Sequence, residues 1–575
     1  MFKNIIKRNR NKFVLGIGSL SLLMSFTSCS DFFDSDSKSV VKTDGQVYTN
    51  EQEARSGMFG LLQGLQTVGD NYVLMGELRG DLMTTTSNSS QELRDISEFN
   101  IKGDNSYLKE RQWYALVNNC NYYINHLDTA VTQLENGVSV KFMRPYMAQA
   151  KAIRAWSYLN LCLDYGSVRY TTQPILESQD SQDKAKLQSL TLDQLLPLLI
   201  ADVEQAESLL PAKQGATDTW VAGYSDPGFT ASTTYGSYMA RQLMFPLRFI
   251  LGELYMWNKD FEKAAQAYYD LIYMDRLALC SYRNLYNSTG IAVSTRNWAN
   301  QFSGFNYADI LTAIVFSSDY KDNASQLYDM ANSQYVIAPS QALIDNFNAQ
   351  FYYTNRAIAG DLRGLYGTYN LRSNSTTGLD DAYITKYGSM TASSNRYVSP
   401  CRASLIWLRY AEAVNRLGKP KLAFYGFLKY GLSAYIINLY RDKDALRGEI
   451  TGEPWMDFGQ DAPEGATAEL FKGNTRGFHA RGCGNTDMNE TYQIEQQPTL
   501  QDTILWVEDQ LVNEYALETA LEGNRFHDLM RISRYRQDAS YLANKVAAKF
   551  SGSMRDKIIG KLSDSSNWYL PEESK

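Results

Sequence analysis

Histidine is almost missing: the 575 residues hold three, His126, His479 and His527. Imidazole is the commonest general base and a leading metal ligand, so most triad and metal chemistry has few participants here. Cysteine is nearly as sparse, and none of the six forms a CxxC pair, which excludes a zinc ribbon or a thioredoxin-like motif. Apart from Cys29, the five others are Cys120, Cys162, Cys280, Cys401 and Cys483, an odd number that suits buried free thiols better than a disulfide framework. No GxSxG, HExxH, Walker A or dinucleotide fingerprint occurs. An excess of positive charge is also lacking, the formal net charge being −7. Duplex binding needs a basic face to displace phosphate counterions, so a nucleic-acid partner is excluded. The same sign disfavours acidic polysaccharides unless a local basic patch overrides it.

What is present begins with Lys3, Lys7, Arg8, Arg10 and Lys12, followed by an apolar run from Phe13 to Phe26. Fourteen residues fall short of the roughly 20 that a membrane-crossing helix needs, so the run reads as the h-region of a secretory signal. Phe26-Thr27-Ser28-Cys29 resembles a bacterial lipobox, with Phe26 in place of the usual Leu, and cleavage there would leave Cys29 as the lipid anchor. Two or three acyl chains anchor stably where one does not. The other reading is an ordinary signal peptide with an incidental cysteine. Residues 29 to 49 are polar and carry Asp31, Asp34 and Asp36, which predicts a flexible acidic tether. Removing residues 1 to 28 takes away five positive charges and moves the net charge to −12.

Residues 50 to 575 suit one large domain. Phe142, Tyr146, Ile153, Trp156, Leu159 and Leu163 draw an apolar stripe along a helix over 141 to 165 that ends at Gly166. Thr191 and Gln194 have capping-box spacing ahead of a helix that runs to Pro211, with Pro197 expected to kink it. In residues 246 to 272, Leu251, Gly252 and Tyr255 precede Ala265 and Tyr269 across an Asn258-Lys259-Asp260 turn. That is the tetratricopeptide pattern, in which small residues permit close helix contact and aromatics fill the groove. Residues 402 to 431 repeat it around Gly418-Lys419-Pro420, and a last helical pair is expected over 502 to 536 with Gly523 as its break. Hairpins are thus predicted at about 110 to 165, 190 to 272 and 402 to 431. Each buries one side only, so neighbours must stack on it. The fold class is mainly α: helical-hairpin repeats carrying large irregular loops at residues 84 to 106, 212 to 240, 281 to 335 and 450 to 500.

Seven segments, in order, resemble the SusD/RagB family. They are LRGDLM (78 to 83), the Trp113 to Asn121 helix, AKAIRAWSYLNLCLDYGSVRY (150 to 170), LLIADVEQAESLLP (198 to 211), the Pro246 hairpin, LIWLRYAEAVNRLG (405 to 418) and LETALEGNRFHDLMR (517 to 531). In the last, Glu514, Glu518, Glu522, Gly523, Arg525, Asp528 and Leu529 fit the family pattern, while Phe526 stands where Trp is usual and His527 replaces a second aromatic. Tyr515-Ala516 lies where basic residues are common. The acids behind Cys29 also resemble the signal that sends Bacteroidetes lipoproteins to the outer face. The resemblance implies a SusD-like fold and a lipid-anchored, surface-exposed outer-membrane protein. It implies capture of a glycan or oligosaccharide, with no cofactor and no catalysis, for a SusC-like TonB-dependent transporter. Oligopeptide cargo is the alternative, and a surface hydrolase or a protein-only tetratricopeptide adaptor are the rivals from other classes.

In the starch-binding relatives the ligand meets an arc of aromatics, and the loops comparable to theirs are residues 84 to 107 and 281 to 310. Trp298, Phe302, Phe305 and Tyr307 cluster there beside Asn300 and Gln301, and Arg94, Phe99 and Tyr107 form a second group. Flat rings with amides and a guanidinium suit a sugar. The competing reading tucks these aromatics onto the helical core. Glu514, Glu518 and Glu522, four apart on one face, invite an acid/base reading, but structural pairing with Arg525 or Arg531 is expected instead. His527 is expected to be packed between helices.

Overall fold

Apolar residues at steps of three and four build most of the molecule. The structure, a computed structural model, describes residues 48–135, 138–175, 187–210, 243–274, 298, 302, 310–316, 325–351, 360–374, 378–387, 396–430, 443–456, 477–483 and 492–574. Asn50–Lys575 form one compact unit. Its principal helices are α1 (Glu51–Glu77), α2 (Glu110–His126), α3 (Met143–Tyr165), α4 (Leu192–Ser208), α5 (Leu247–Trp257), α6 (Phe261–Met274), α7 (Ala403–Arg416), α8 (Leu500–Glu518), α9 (Arg525–Arg536), α10 (Ala539–Ala547) and α11 (Gly552–Leu562). Among the described residues none is long and apolar enough to cross a membrane.

The hairpin logic holds locally. A Cβ on Gly252 of α5 would lie 2.4 Å from the Tyr268 ring of α6, so only glycine allows these helices to close. Thr191 and Gln194 form the expected capping box at the start of α4, and that helix runs to Ser208 with Pro197 inside it. Gly166 caps α3 at φ +80°, a conformation that favours glycine. The hairpin after α7 differs from expectation: its second arm, Leu422–Lys429, is π-helical. Tyr72, Trp113, Trp156 and Phe245 meet at ring distances of 5.1 to 5.3 Å where α1, α2 and α3 converge.

Short strands, most of them outside the stretches expected to be irregular, add to the helices. Among the described residues, paired antiparallel strands form ribbons: β1 (Met83–Thr85) with β7 (Ile337–Pro339), β2 (Gln133–Glu135) with β3 (Val138–Val140), and β4 (Ser167–Tyr170) with β5 (Gln188–Thr191). The others are β6 (Ile310–Phe316) with β10 (Arg396–Arg402), and β8 (Tyr369–Ser373) with β9 (Asp380–Ile384). A short helix at Gln91–Ser97, N-capped by Ser90, occupies the expected loop at 84 to 106.

The C-terminal signature is the hub of the interior. Gly76 of α1 meets Gly523 so closely that a Cβ would sit 1.7 Å from its carbonyl oxygen. Glu77 accepts the backbone N–H groups of Leu521, Gly523 and Arg525 at 3.1, 2.8 and 3.4 Å. Arg525 clasps Asp81 at 2.6 and 2.8 Å and donates to the Val512 carbonyl, tying α9 to α8. Cys120, Cys162 and Cys483 are buried free thiols, Cys401 is buried as well, and Cys280 lies outside the described residues.

Candidate functional site

The acidic helix was the obvious place to look for chemistry, and its carboxylates are closed. Arg363 Nη1 donates to Glu514 and Glu518 at 2.7 Å each, and its other edge grips Asp361. Arg402 holds Glu522 at 2.8 and 2.9 Å, with Lys386 on the same carboxylate. The expected partners were Arg525 and Arg531; this is corrected, because the acidic face of α8 looks toward Arg363 and Arg402. Arg525 is turned to Asp81, and Arg531 to Glu412 and Asp528. Burial alone would raise the Glu514 carboxyl, but Arg363 and His479 beside it hold it below the ordinary range. His527 is packed between helices, 3.0 Å from Asp164, which also pairs with Arg79. Among the described residues no group of His, Cys, Asp and Glu is arranged to hold a metal ion.

The aromatic candidates turn inward. Trp298 is fully buried and its Nε1 donates to Thr368 Oγ1 at 3.1 Å. Phe302, also buried, stands edge-on to it at 5.2 Å, with the Lys386 ammonium 4.5 Å from its ring. In this structure the two rings therefore serve the interior and offer no open platform. Asn300, Phe305 and Tyr307 lie outside the described residues, as does Cys29. Phe99 is buried at 5.7 Å from Phe526, and half-buried Tyr107 has the Ser90 hydroxyl beside its own. Arg94 stays at the surface, where it donates to the Ser87 carbonyl at 3.0 Å and shapes the loop after β1.

That loop leads to a face which sequence reasoning missed. Thr86 Oγ1 donates to the Tyr335 carbonyl, and Asn88 Nδ2 to the Gln334 carbonyl at 3.2 Å. Tyr335 is held at φ +49°, a sparsely populated conformation for a bulky residue. Its hydroxyl donates to the Ala382 carbonyl of β9 at 3.0 Å. The exposed Arg372 of β8 lays its guanidinium 4.1 Å from the Tyr335 ring centre and 5.7 Å from that of Tyr383. Strand alternation puts Asn370 on the same side, with its Nδ2 on the Tyr383 hydroxyl at 3.2 Å, and the cross-strand partner of Arg372 is Asp381. Burial and the Asp381 charge push the Tyr335 phenol up while Arg372 opposes them, so it stays neutral. The β8–β9 ribbon thus brings an exposed guanidinium, an amide, a carboxylate and the half-buried Tyr383 ring beside the half-buried Tyr335 ring that precedes β7. Groups of these kinds are able to stack on apolar sugar surfaces and hydrogen-bond hydroxyls, and those named here include no nucleophile–base pair.

With that geometry in hand, solved structures supply the comparison. A SusD superfamily protein from Bacteroides thetaiotaomicron superposes with a TM-score of 0.56 at 14% identity, over 91% of this chain and 96% of its own. The fold is that of the SusD superfamily. A SusD-like carbohydrate binding protein from Bacteroides vulgatus matches with a TM-score of 0.52 at 14% identity, over 85% of this chain and 84% of its own. A laminarin binding SusD-like protein matches at 0.50 and 13% identity, over 92% and 97%. No family model and no curated protein matches the sequence. The SusD-like fold is therefore visible in structure at identities where sequence comparison is silent.

Proposed function

We propose that this chain is a lipid-anchored outer-membrane protein, exposed at the cell surface, that captures a glycan and passes it to a SusC-like TonB-dependent transporter without cleaving it. The observation that carries the binding site is the Arg372 guanidinium, exposed and oriented between the Tyr335 and Tyr383 rings. The names of the SusD-like neighbours support the cargo class, since one binds laminarin and another carbohydrate. Closure of Glu514, Glu518 and Glu522 in ion pairs supports binding without turnover. The lipobox at Cys29 and the acids behind it support the location.

The test is calorimetric titration of the full chain in detergent against laminarin, starch, pectin and a casein digest, with product analysis afterwards. Saturable binding of an intact polysaccharide is expected. Binding of the digest alone would replace glycan with peptide as cargo, and any shortened product would make the protein a hydrolase.

A further inference from the structure

The cations that close the acidic helix are not scattered through the core. Arg363 stands in the turn that leads into β8, and Lys386 lies just beyond Thr385 at the end of β9. At the entry side, Arg363 is fixed by Glu514 and Glu518 at 2.7 Å each. At the exit side, Lys386 Nζ donates to the Ala520 carbonyl at 2.8 Å, the Glu518 carbonyl at 3.3 Å and the Glu522 carboxylate. The Tyr387 hydroxyl adds a bond to the Leu521 carbonyl. Thr385 and Lys386 both donate backbone N–H groups to the Thr368 carbonyl, at 3.0 and 3.2 Å, and so join the two feet of the ribbon.

A two-stranded ribbon is marginal by itself, and β8–β9 buries only Tyr369 and Ile384 of its strand residues, the rest being half-buried or exposed. Its geometry is therefore set by what holds its feet. Buried ion pairs stabilise little compared with apolar packing of the same volume, whereas breaking one is costly, so a row of them fixes a particular arrangement. We infer that Glu514, Glu518 and Glu522 are positioning residues for the ligand face: by clamping both feet of the ribbon they preorganise Arg372 and Tyr383 against Tyr335, without touching the ligand. This rests on the proposed reading of that face as the binding site. Preorganisation raises affinity by removing the ordering cost at the moment of binding.

The full chain in detergent, wild type and Lys386→Met, is compared by hydrogen exchange and by titration with the polysaccharide that the wild type binds. Methionine keeps the apolar stem and deletes the exit-side grip. Amides of residues 369 to 384 are expected to exchange about tenfold faster while those of α5 and α6 stay unchanged. Affinity is expected to fall about tenfold, and Lys386→Arg to restore both. Should Lys386→Met fail to fold, Glu522→Gln, which leaves Arg402 its contact with Glu518, is read the same way. Unaltered exchange and affinity in a folded variant overturn the inference, and so does lost affinity with unaltered exchange, because the substituted residue would then act on the ligand itself. Wild-type silence toward every polysaccharide sinks the binding reading instead, and the exchange arm still decides whether the acids hold the ribbon.

Discussion

Arg372 is exposed, yet its guanidinium sits over the Tyr335 ring, so it offers hydrogen-bond donors from a partly ordered side chain at little entropic cost. Replacing it with alanine removes that anchor and no core contact; affinity for the captured glycan is expected to fall by about 2 kcal/mol with the melting temperature unchanged, as titration and thermal melts will read. Trp298 should behave in the opposite way. Its ring is fully buried and bonded to Thr368, so Trp298→Ala is expected to cost about 3–5 kcal/mol of stability by denaturant unfolding; a variant as stable as wild type would return Trp298 to the list of ligand platforms. Glu77 gives a pH signature. Burial pushes its carboxyl up to about 7, against the backbone N–H groups that favour the charge, and burial likewise carries Asp70 up to about 6. Below those values the folded chain holds protons that the unfolded chain has released, so stability falls as pH rises from about 5 to 7, by roughly 3 kcal/mol for Glu77. Lys549, pulled down to about 7 by burial, has the reverse slope above neutrality. Glu77→Gln is expected to flatten the decline between those two pH values in thermal melts, and an unchanged slope would remove Glu77 as its source. Residue identity alone showed that aromatics cluster near 298, but not that two of them face inward, because burial depends on partners such as Thr368 and Lys386 that lie far along the chain.

At the scale of elements, what could be read was what short-range spacing encodes. The α3 stripe, the capping box of α4 and the α5–α6 hairpin all follow from residues within two or three turns of one another. Gly252→Ala tests that logic: its Cβ must displace Tyr268, an overpacking cost of about 1–3 kcal/mol that a thermal melt of the purified chain will show as a lower midpoint. Helix α1 was passed over although Ala54, Met58, Leu61, Leu65, Val68, Tyr72 and Met75 repeat at three and four, because its last turns, Asn71–Glu77, are buried all round and show no polar face. The ribbons were missed for a different reason. Strands of three to seven residues carry little periodic signal, and Tyr335, Arg372 and Tyr383 become neighbours only through pairing across long stretches of chain.

For the whole molecule, fold class was legible because many weak segments agreed in order, and agreement across levels is what a specified fold looks like. Location is a claim about the chain in its cell and is tested there. Cys29→Ser is expected to abolish incorporation of labelled fatty acid and to release the protein from the membrane fraction; continued lipidation would dismiss the lipobox. Because the proposed ligand face contains no residue of the proposed anchor segment, the same variant is expected to bind glycan in solution as tightly as the wild type.

The carboxylate of Glu77 reaches its backbone partners across 444 to 448 residues of sequence. Synthesis proceeds from the amino end, and loop closure over such a span must precede the contact. The first long helix therefore has no finished seat until the turn around Gly523 has been made, so the chain completes its core only late in synthesis. An unfinished chain ending before Leu521 would bury an unsatisfied acid where this fold has three donors, which marks truncated products for proteolysis.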